Sequence, residues 1–214
     1  MGDWMRTLTN ERRQAIIDTA TELFQEVGYK GASMNEVAKR VGGSKATLYN
    51  YFASKEELFE MVVRTHSTQF LNAAASEISA FTGVSMPFEE KLTRFGERML
   101  EVLAGDNKAL KIYRCVLSEA GNSNIGELFR AAGLQESMAR LAELMSVAMQ
   151  DGDLAPGDAM LRAVQFTSLI KAEVEVLMFM QEPPTYTMAQ ISAMVQKGVQ
   201  IFLYGAVAQK TTTN

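Results

Sequence analysis

Three helix starts and one backbone reversal are written between Ser33 and Glu57, and few structures other than a compact helix-turn-helix unit satisfy all four. Ser33 and Glu36 have the S-x-x-E spacing in which a serine caps the first turn of a helix. Gly42 and Gly43 supply a turn that tolerates backbone angles closed to other residues. Ser44 caps a second short helix, reaching about Tyr51. Ser54 and Glu57 repeat the S-x-x-E spacing and open a third. Within the middle helix Leu48 and Phe52 are four residues apart, so they share one face and can anchor it. Lys45, Ala46, Thr47, Tyr49 and Asn50 are then left pointing outward to varying degrees.

The remaining pattern is helical throughout. No sustained alternation of apolar and polar residues marks a strand, and proline is absent before Pro87. A first helix is expected from about Glu11 to Val27, with Ile16, Ala20, Leu23, Phe24 and Val27 on one face and Gly28 ending it. The helix opened by Ser54 is expected to be long, reaching about Phe81, with Phe70 and Leu71 among its apolar contacts. Further helices are expected over about 87–104, 107–120, 127–150 (broken near Gly133), 158–181 and 187–208, and the tail 209–214 is expected to fray. The fold class is therefore all-α, about nine helices. An N-terminal domain over 1–54, its helix-turn-helix at about 33–52, is joined through a long fourth helix to a bundle over 55–214.

Charge points to the same segment. The chain carries a net charge of -4, yet between Lys30 and Lys55 five basic residues face one acid, Glu36. A basic footprint on an acidic protein can dock on phosphates while the remaining surface avoids them. One histidine and one cysteine exclude a His/Cys metal cluster, H-E-x-x-H and C-x-x-C. G-x-G-x-x-G, Walker and G-x-S-x-G sequences are also missing. No catalytic residue, metal or cofactor is expected, and the chain does not read as an enzyme. The lone Cys115 fits a reducing cytoplasm. The polar N-terminus shows no signal peptide, and the apolar run from Val174 to Met180 is too short to span a bilayer, so no membrane partner is expected.

The major groove admits one helix and is read by short polar or forked side chains. Lys45 suits guanine or phosphate, Asn50 suits adenine, and the methyl groups of Ala46 and Thr47 suit thymine. Tyr49, Tyr51 and Lys55 suit phosphate. Lys55 sits in a first helical turn, where a cation opposes the helix dipole, and a phosphate partner would account for it. Ser33 and Ser44 serve as caps, as phosphate ligands or as both. A helical protein-interaction adaptor without DNA binding is the alternative, and it leaves this basic, polar set without a purpose.

These residues resemble the TetR family of bacterial transcriptional regulators. The resemblance rests on S-M-x-E-V-A (33–38), V-G-x-S-x-A-T-L-Y (41–49), Y-F (51–52) and K-E-E-L-F (55–59). Upstream, R-x-x-I-x-x-x-A-x-x-L-F-x-E-x-G-Y (13–29) extends it. Gly43 departs from the pattern, which has an apolar residue there, at an expected cost on the order of 1 kcal/mol. The resemblance implies a homodimer on an inverted-repeat operator in double-stranded DNA, usually a repressor. It further implies a small molecule in the C-terminal bundle that changes the separation of the two reading heads. Arg6 and Trp4 precede the first helix and either reach the adjacent groove or backbone or lie in an unstructured N-terminus, the favoured reading.

The C-terminal sequences L-K-I-Y-R-C-V-L-S-E-A (110–120), G-E-L-F (126–129) and D-G-D-L (151–154) are similar to the C-terminal domain of the AcrR-like branch, and name no ligand. The last two helices are apolar on more than one face, which calls for burial, either against a partner subunit or within the monomer's own core. With the resemblance, this puts the dimer interface on them, at Val195, Gly198, Val199, Phe202, Gly205 and Ala206. Candidate effector contacts are His66, Met99, Tyr113, Phe166, Ile170, Glu173 and Leu177, and the effector is expected to be largely apolar. Glu173 shares a helical face with Phe166, Ile170 and Leu177. A carboxylate there needs a cationic ligand, an internal lysine or arginine, or the dimer partner.

Overall fold

The computed structural model describes residues 2–68, 86–105, 107–121 and 123–206. Among them are ten α-helices and no strand: α1 (Gly2–Gly31), α2 (Met34–Val41), α3 (Lys45–Tyr49), α4 (Lys55–Val63), α5 (Phe88–Ala104), α6 (Asn107–Glu119), α7 (Ile125–Phe129), α8 (Gln135–Asp151), α9 (Ala159–Lys171) and α10 (Met188–Tyr204). The expected continuation of the fourth helix to Phe81, with Phe70 and Leu71, lies outside the described residues. So do the tail 209–214 and the side chains of Trp4 and Arg6.

The local signals act as their chemistry dictates. Ser33, Ser44 and Ser54 each accept a hydrogen bond from the backbone N–H three residues on, and so cap α2, α3 and α4. Gly28 interrupts α1 with φ 70° and ψ 175°, and Gly42 ends α2 in the left-handed region at φ 73°. Gly133, at φ 150°, lies in the π-helical turn Arg130–Leu134 and separates α7 from α8, which splits the helix expected over 127–150. Past Val63, α4 widens into a π-helical turn, Arg64–Thr68.

Two expectations are corrected. α1 begins at Gly2 rather than near Glu11, so the backbone ahead of Glu11 is helical. The helix expected over 158–181 stops at Lys171. The chain turns through Ala172 and Val174 into a 3₁₀ turn, Glu175–Phe179, so residues beyond 171 do not keep the helical register that placed Glu173 with Leu177.

Packing divides the chain into two compact units, Met1–Leu71 with Asn107–Gln135 and Asn72–Asp106 with Glu136–Asn214. This cut differs from the division expected between residues 54 and 55, because α6 and α7 pack with the N-terminal helices. In the first unit Phe24, Tyr29 and Phe59 form an aromatic cluster, with Phe24 and Tyr29 centroids 4.9 and 5.0 Å from that of Phe59. Ile112, Cys115 and Val116 of α6 and Ile125 and Phe129 of α7 complete that core. The Cys115 thiol donates to the Phe24 carbonyl at 3.1 Å. Burial, with the nearby Glu119 carboxylate, pushes its pKa up to about 11, so it stays a protonated packing group.

In the second unit α10 lies against α5 and α9. Val195 and Val199 are buried, and glycines permit the close approach. A Cβ on Gly96 would lie 2.7 Å from Val195 Cγ1, and one on Gly198 would lie 2.7 Å from Ile170 Cδ1. The end of α10 is fastened to the start of α5 by Gln200 and Tyr204, which donate to the Glu89 carboxylate at 2.8 and 3.1 Å.

Candidate nucleic-acid interface

Helix α3 is held at two points. Leu48 is 2% exposed and Phe52 is fully buried, and the Arg13 guanidinium lies 4.8 Å from the centre of the Phe52 ring. Every other residue from Ser44 to Asn50 is exposed. The fold thus presents Lys45, Ala46, Thr47, Tyr49 and Asn50 to solvent on one short helix, as the spacing of Leu48 and Phe52 predicted.

The exposed groups are partly ordered by one another. The Ser44 hydroxyl caps the Thr47 N–H at 3.0 Å and pairs with the Thr47 hydroxyl at 2.8 Å, which leaves the Thr47 methyl to make outward contacts. The Lys45 ammonium lies 5.7 Å from the centre of the Tyr49 ring. Ser33 is occupied as a cap on Glu36 N–H at 3.2 Å. Tyr51 is half-buried and packs on the core, so only part of its side chain is open to a partner.

Lys55 does not face outward as expected. Its ammonium donates to the carbonyls of Tyr29 and Ala32 at 3.0 and 3.1 Å and lies 4.2 Å from the centre of the Tyr29 ring. Those carbonyls lie at the end of α1 and one residue past it, at the terminus that favours a cation. The Tyr29 hydroxyl donates to Glu56 Oε1 at 2.8 Å; burial and that carboxylate raise the phenol's pKa. Lys55 and Glu56 therefore tie α4 to the end of α1, and an internal partner, rather than a phosphate, accounts for a lysine in that first turn.

Two arginines were not anticipated. Besides Arg13 on Phe52, the Arg12 guanidinium donates to the Gly42 carbonyl at 3.2 Å, bridging residues 30 positions apart. Only the departure at Gly43 hinted at it, since the missing side chain leaves room on the turn.

The candidate effector residues fall in both units. His66, in the π-helical turn, and Tyr113, whose ring centre is 5.5 Å from that of Phe129, belong to the first. Met99, Phe166, Ile170 and Leu177 are buried in the second. Glu173 is exposed, and Lys197 pairs with it at 3.2 Å. Its partner is a lysine of the same chain, but one on the surface rather than inside the fold, and the assumed burial is not found. A cleft of about 290 Å³ on the second unit is lined by Arg94, Glu97, Arg98, Glu101 and Met188, too charged to attract an apolar molecule.

The expected dimer residues also divide. Val195, Gly198 and Val199 are buried within the chain itself, because that face of α10 packs on α5 and α9. Phe202 is half-buried, with its ring centre 5.2 Å from that of Phe166. Gly205 and Ala206 are exposed. Large apolar side chains that do reach solvent include Met160, Leu161 and Val164 on α9 and Ile201 and Tyr204 on α10.

Comparison with known proteins decides the family. Residues 16–62 match the N-terminal domain of bacterial regulatory proteins of the tetR family, and residues 90–205, more than half of the chain, match the C-terminal domain of AefR-like transcriptional repressors. The chain belongs to the TetR family. It is a helix-turn-helix, DNA-binding transcriptional regulator and not an enzyme. Its matching C-terminal domain is AefR-like, where sequence motifs suggested the AcrR-like branch. It is 27% identical over 142 residues to the helix-turn-helix regulator YhgD of Bacillus subtilis, covering 66% of this chain and 69% of that protein. A TetR-family regulator of Mesorhizobium loti has the same fold, with a TM-score of 0.75 at 26% identity, over 91% of this chain and 96% of that one. The flavonoid-responsive regulator FrrA superposes with a TM-score of 0.65 at 27% identity over the same shares. Among the described residues of this TetR-family chain no helix is long and apolar enough to cross a membrane, and no group of His, Cys, Asp or Glu has the arrangement of a metal site.

Proposed function

We propose that the protein is a repressor that binds an inverted-repeat operator as a homodimer and leaves it when a largely apolar small molecule enters the C-terminal half. Residues 1–54 read DNA, and residues 55–214 carry the effector and pairing functions. The observation that carries this function is the exposure of α3 from Ser44 to Asn50 around the single buried Leu48. Lys45, Ala46, Thr47 and Asn50 meet base edges, and Ser33, Ser44, Tyr49 and Tyr51 meet the sugar-phosphate backbone. Lys55 positions α4.

Repression is supported by the description of the matching C-terminal domain, and a small-molecule effector by the name of the flavonoid-responsive relative. A dimer is supported by the size of the head, since one five-residue helix reads too few bases to be specific. It is supported also by the exposed Met160, Leu161, Val164, Ile201 and Tyr204, which replace Val195, Gly198 and Val199 as the pairing face. Selection of bound fragments from a random DNA pool tests the core of the proposal. Two inverted half-sites about one helical turn apart, or a multiple of it, are expected. A single asymmetric site would break the dimer claim, and enrichment of no sequence would break the assignment of α3.

A further inference from the structure

We infer that Arg12 is a further DNA-binding residue, a phosphate contact that Gly43 admits onto the turn ahead of α3. The inference rests on α3 being the helix that enters the groove. Arg12 Nη2 donates to the Gly42 carbonyl at 3.2 Å, and a Cβ on Gly43 would lie 2.9 Å from the same nitrogen. The backbone does not demand glycine at 43. Gly42, at φ 73°, makes the turn, and Gly43 is not among the residues with positive φ. A side chain at 43 would meet only the far end of the Arg12 guanidinium, so glycine there leaves the arm its place on the turn and a larger residue would push it aside.

The surroundings of that guanidinium favour an anion. Arg40, also on the N-terminal unit, is paired with two carboxylates, Glu26 at 2.8 Å and Glu36 at 3.3 Å. Among the described residues no carboxylate pairs with Arg12, and its one recorded hydrogen bond goes to a neutral carbonyl. A guanidinium has five N–H donors in a planar fork that matches a phosphate. The half-buried Arg12 therefore holds its charge and several donors at Gly42, two residues ahead of Ser44 and three ahead of Lys45. The Gly42 carbonyl fixes the arm, so that contact with the DNA backbone also fixes the register of α3.

The test is the salt dependence of binding by the full chain to a fragment selected from the random pool, with thermal melting as the check on folding. Each phosphate contact contributes about 0.9 to the slope of log K against log salt. Arg12→Ala should lower the slope by about that amount per reading head, and Arg12→Lys should keep it. Gly43→Val should lower it with no charge removed, because the new side chain displaces the arm. Arg40→Ala should leave it unchanged. A wild-type slope for Arg12→Ala overturns the inference whatever happens to affinity, since it leaves Arg12 only a clamp on the turn. An equal loss for Arg40→Ala overturns it too, by tracing the effect to net charge. Lys45→Ala separates the two levels. If Lys45→Ala weakens binding while Arg12→Ala leaves slope and affinity alone, only the role of Arg12 fails. If neither changes anything, the placement of α3 fails with it.

Discussion

Helices α3 and α10 solve opposite problems. α3 is five residues long and α10 seventeen. α3 has one buried residue of its own, Leu48, and Phe52 just beyond its end. With a single apolar side there is only one way to dock it, and everything else is left to a partner. α10 is apolar on more than one side, so its composition calls for burial without saying which side the subunit takes for itself. The structure assigns Ile191, Val195, Gly198 and Val199 to the subunit and leaves Ile201 and Tyr204 outside. A helix with one apolar stripe reveals its orientation in sequence, and a helix with two does not.

The largest expected effect breaks the anchor of α3. Phe52 is fully buried beneath Arg13. Phe52→Ala should cost about 3–5 kcal/mol, a large part of the stability of an ordinary domain. The melting temperature should fall steeply and operator binding with it. Asn50→Ala, at an exposed position, should leave melting within about 0.5 kcal/mol of wild type and change base preference instead. If Phe52→Ala melts normally, α3 is not held at the two points described.

Next in size is the matching experiment on α10. A Cβ on Gly198 would lie 2.7 Å from Ile170 Cδ1 and 3.4 Å from the Ile170 backbone Cα. Gly198→Ala should therefore destabilise the subunit by about 1–3 kcal/mol through overpacking. Its sedimentation should match wild type, because the change is inside one chain. If dissociation increases while a dilute sample melts normally, Gly198 belongs between subunits, and the division of α10 into inner and outer sides is wrong.

The features legible in sequence are those whose physics is local. Ser33, Ser44 and Ser54 cap the helices they precede because a serine hydroxyl needs only a backbone N–H three residues on. Gly28 and Gly42 take positive φ for reasons internal to their own turns. The exposed set on α3 follows from one four-residue spacing. What sequence did not show is set by distant partners. Lys55 reaches carbonyls 26 and 23 residues away, and Arg12 reaches one 30 residues away; the placement of Lys55 against the helix dipole signals a partner without naming it, and Arg12 leaves no trace in its own neighbourhood. The stop of α9 at Lys171 was missed because no glycine or proline marks it. The visible stop, Pro183-Pro184, lies beyond a 3₁₀ turn whose composition reads as helix.

Glu173 shows how a wrong register becomes a wrong energy. On an unbroken helix it would face Phe166, Ile170 and Leu177, and removing its partner would leave a buried charge costing several kcal/mol. In the structure α9 has ended by Lys171, and the Glu173 and Lys197 side chains are 45% and 64% exposed. A pair so open to water contributes no more than about 1 kcal/mol. Lys197→Ala and Glu173→Gln should each lower stability by that much or less in urea, and 1 M salt should remove the difference. A loss above about 2 kcal/mol that persists in salt would mean that the carboxylate is buried after all, and the helical register read from the sequence would have to be restored.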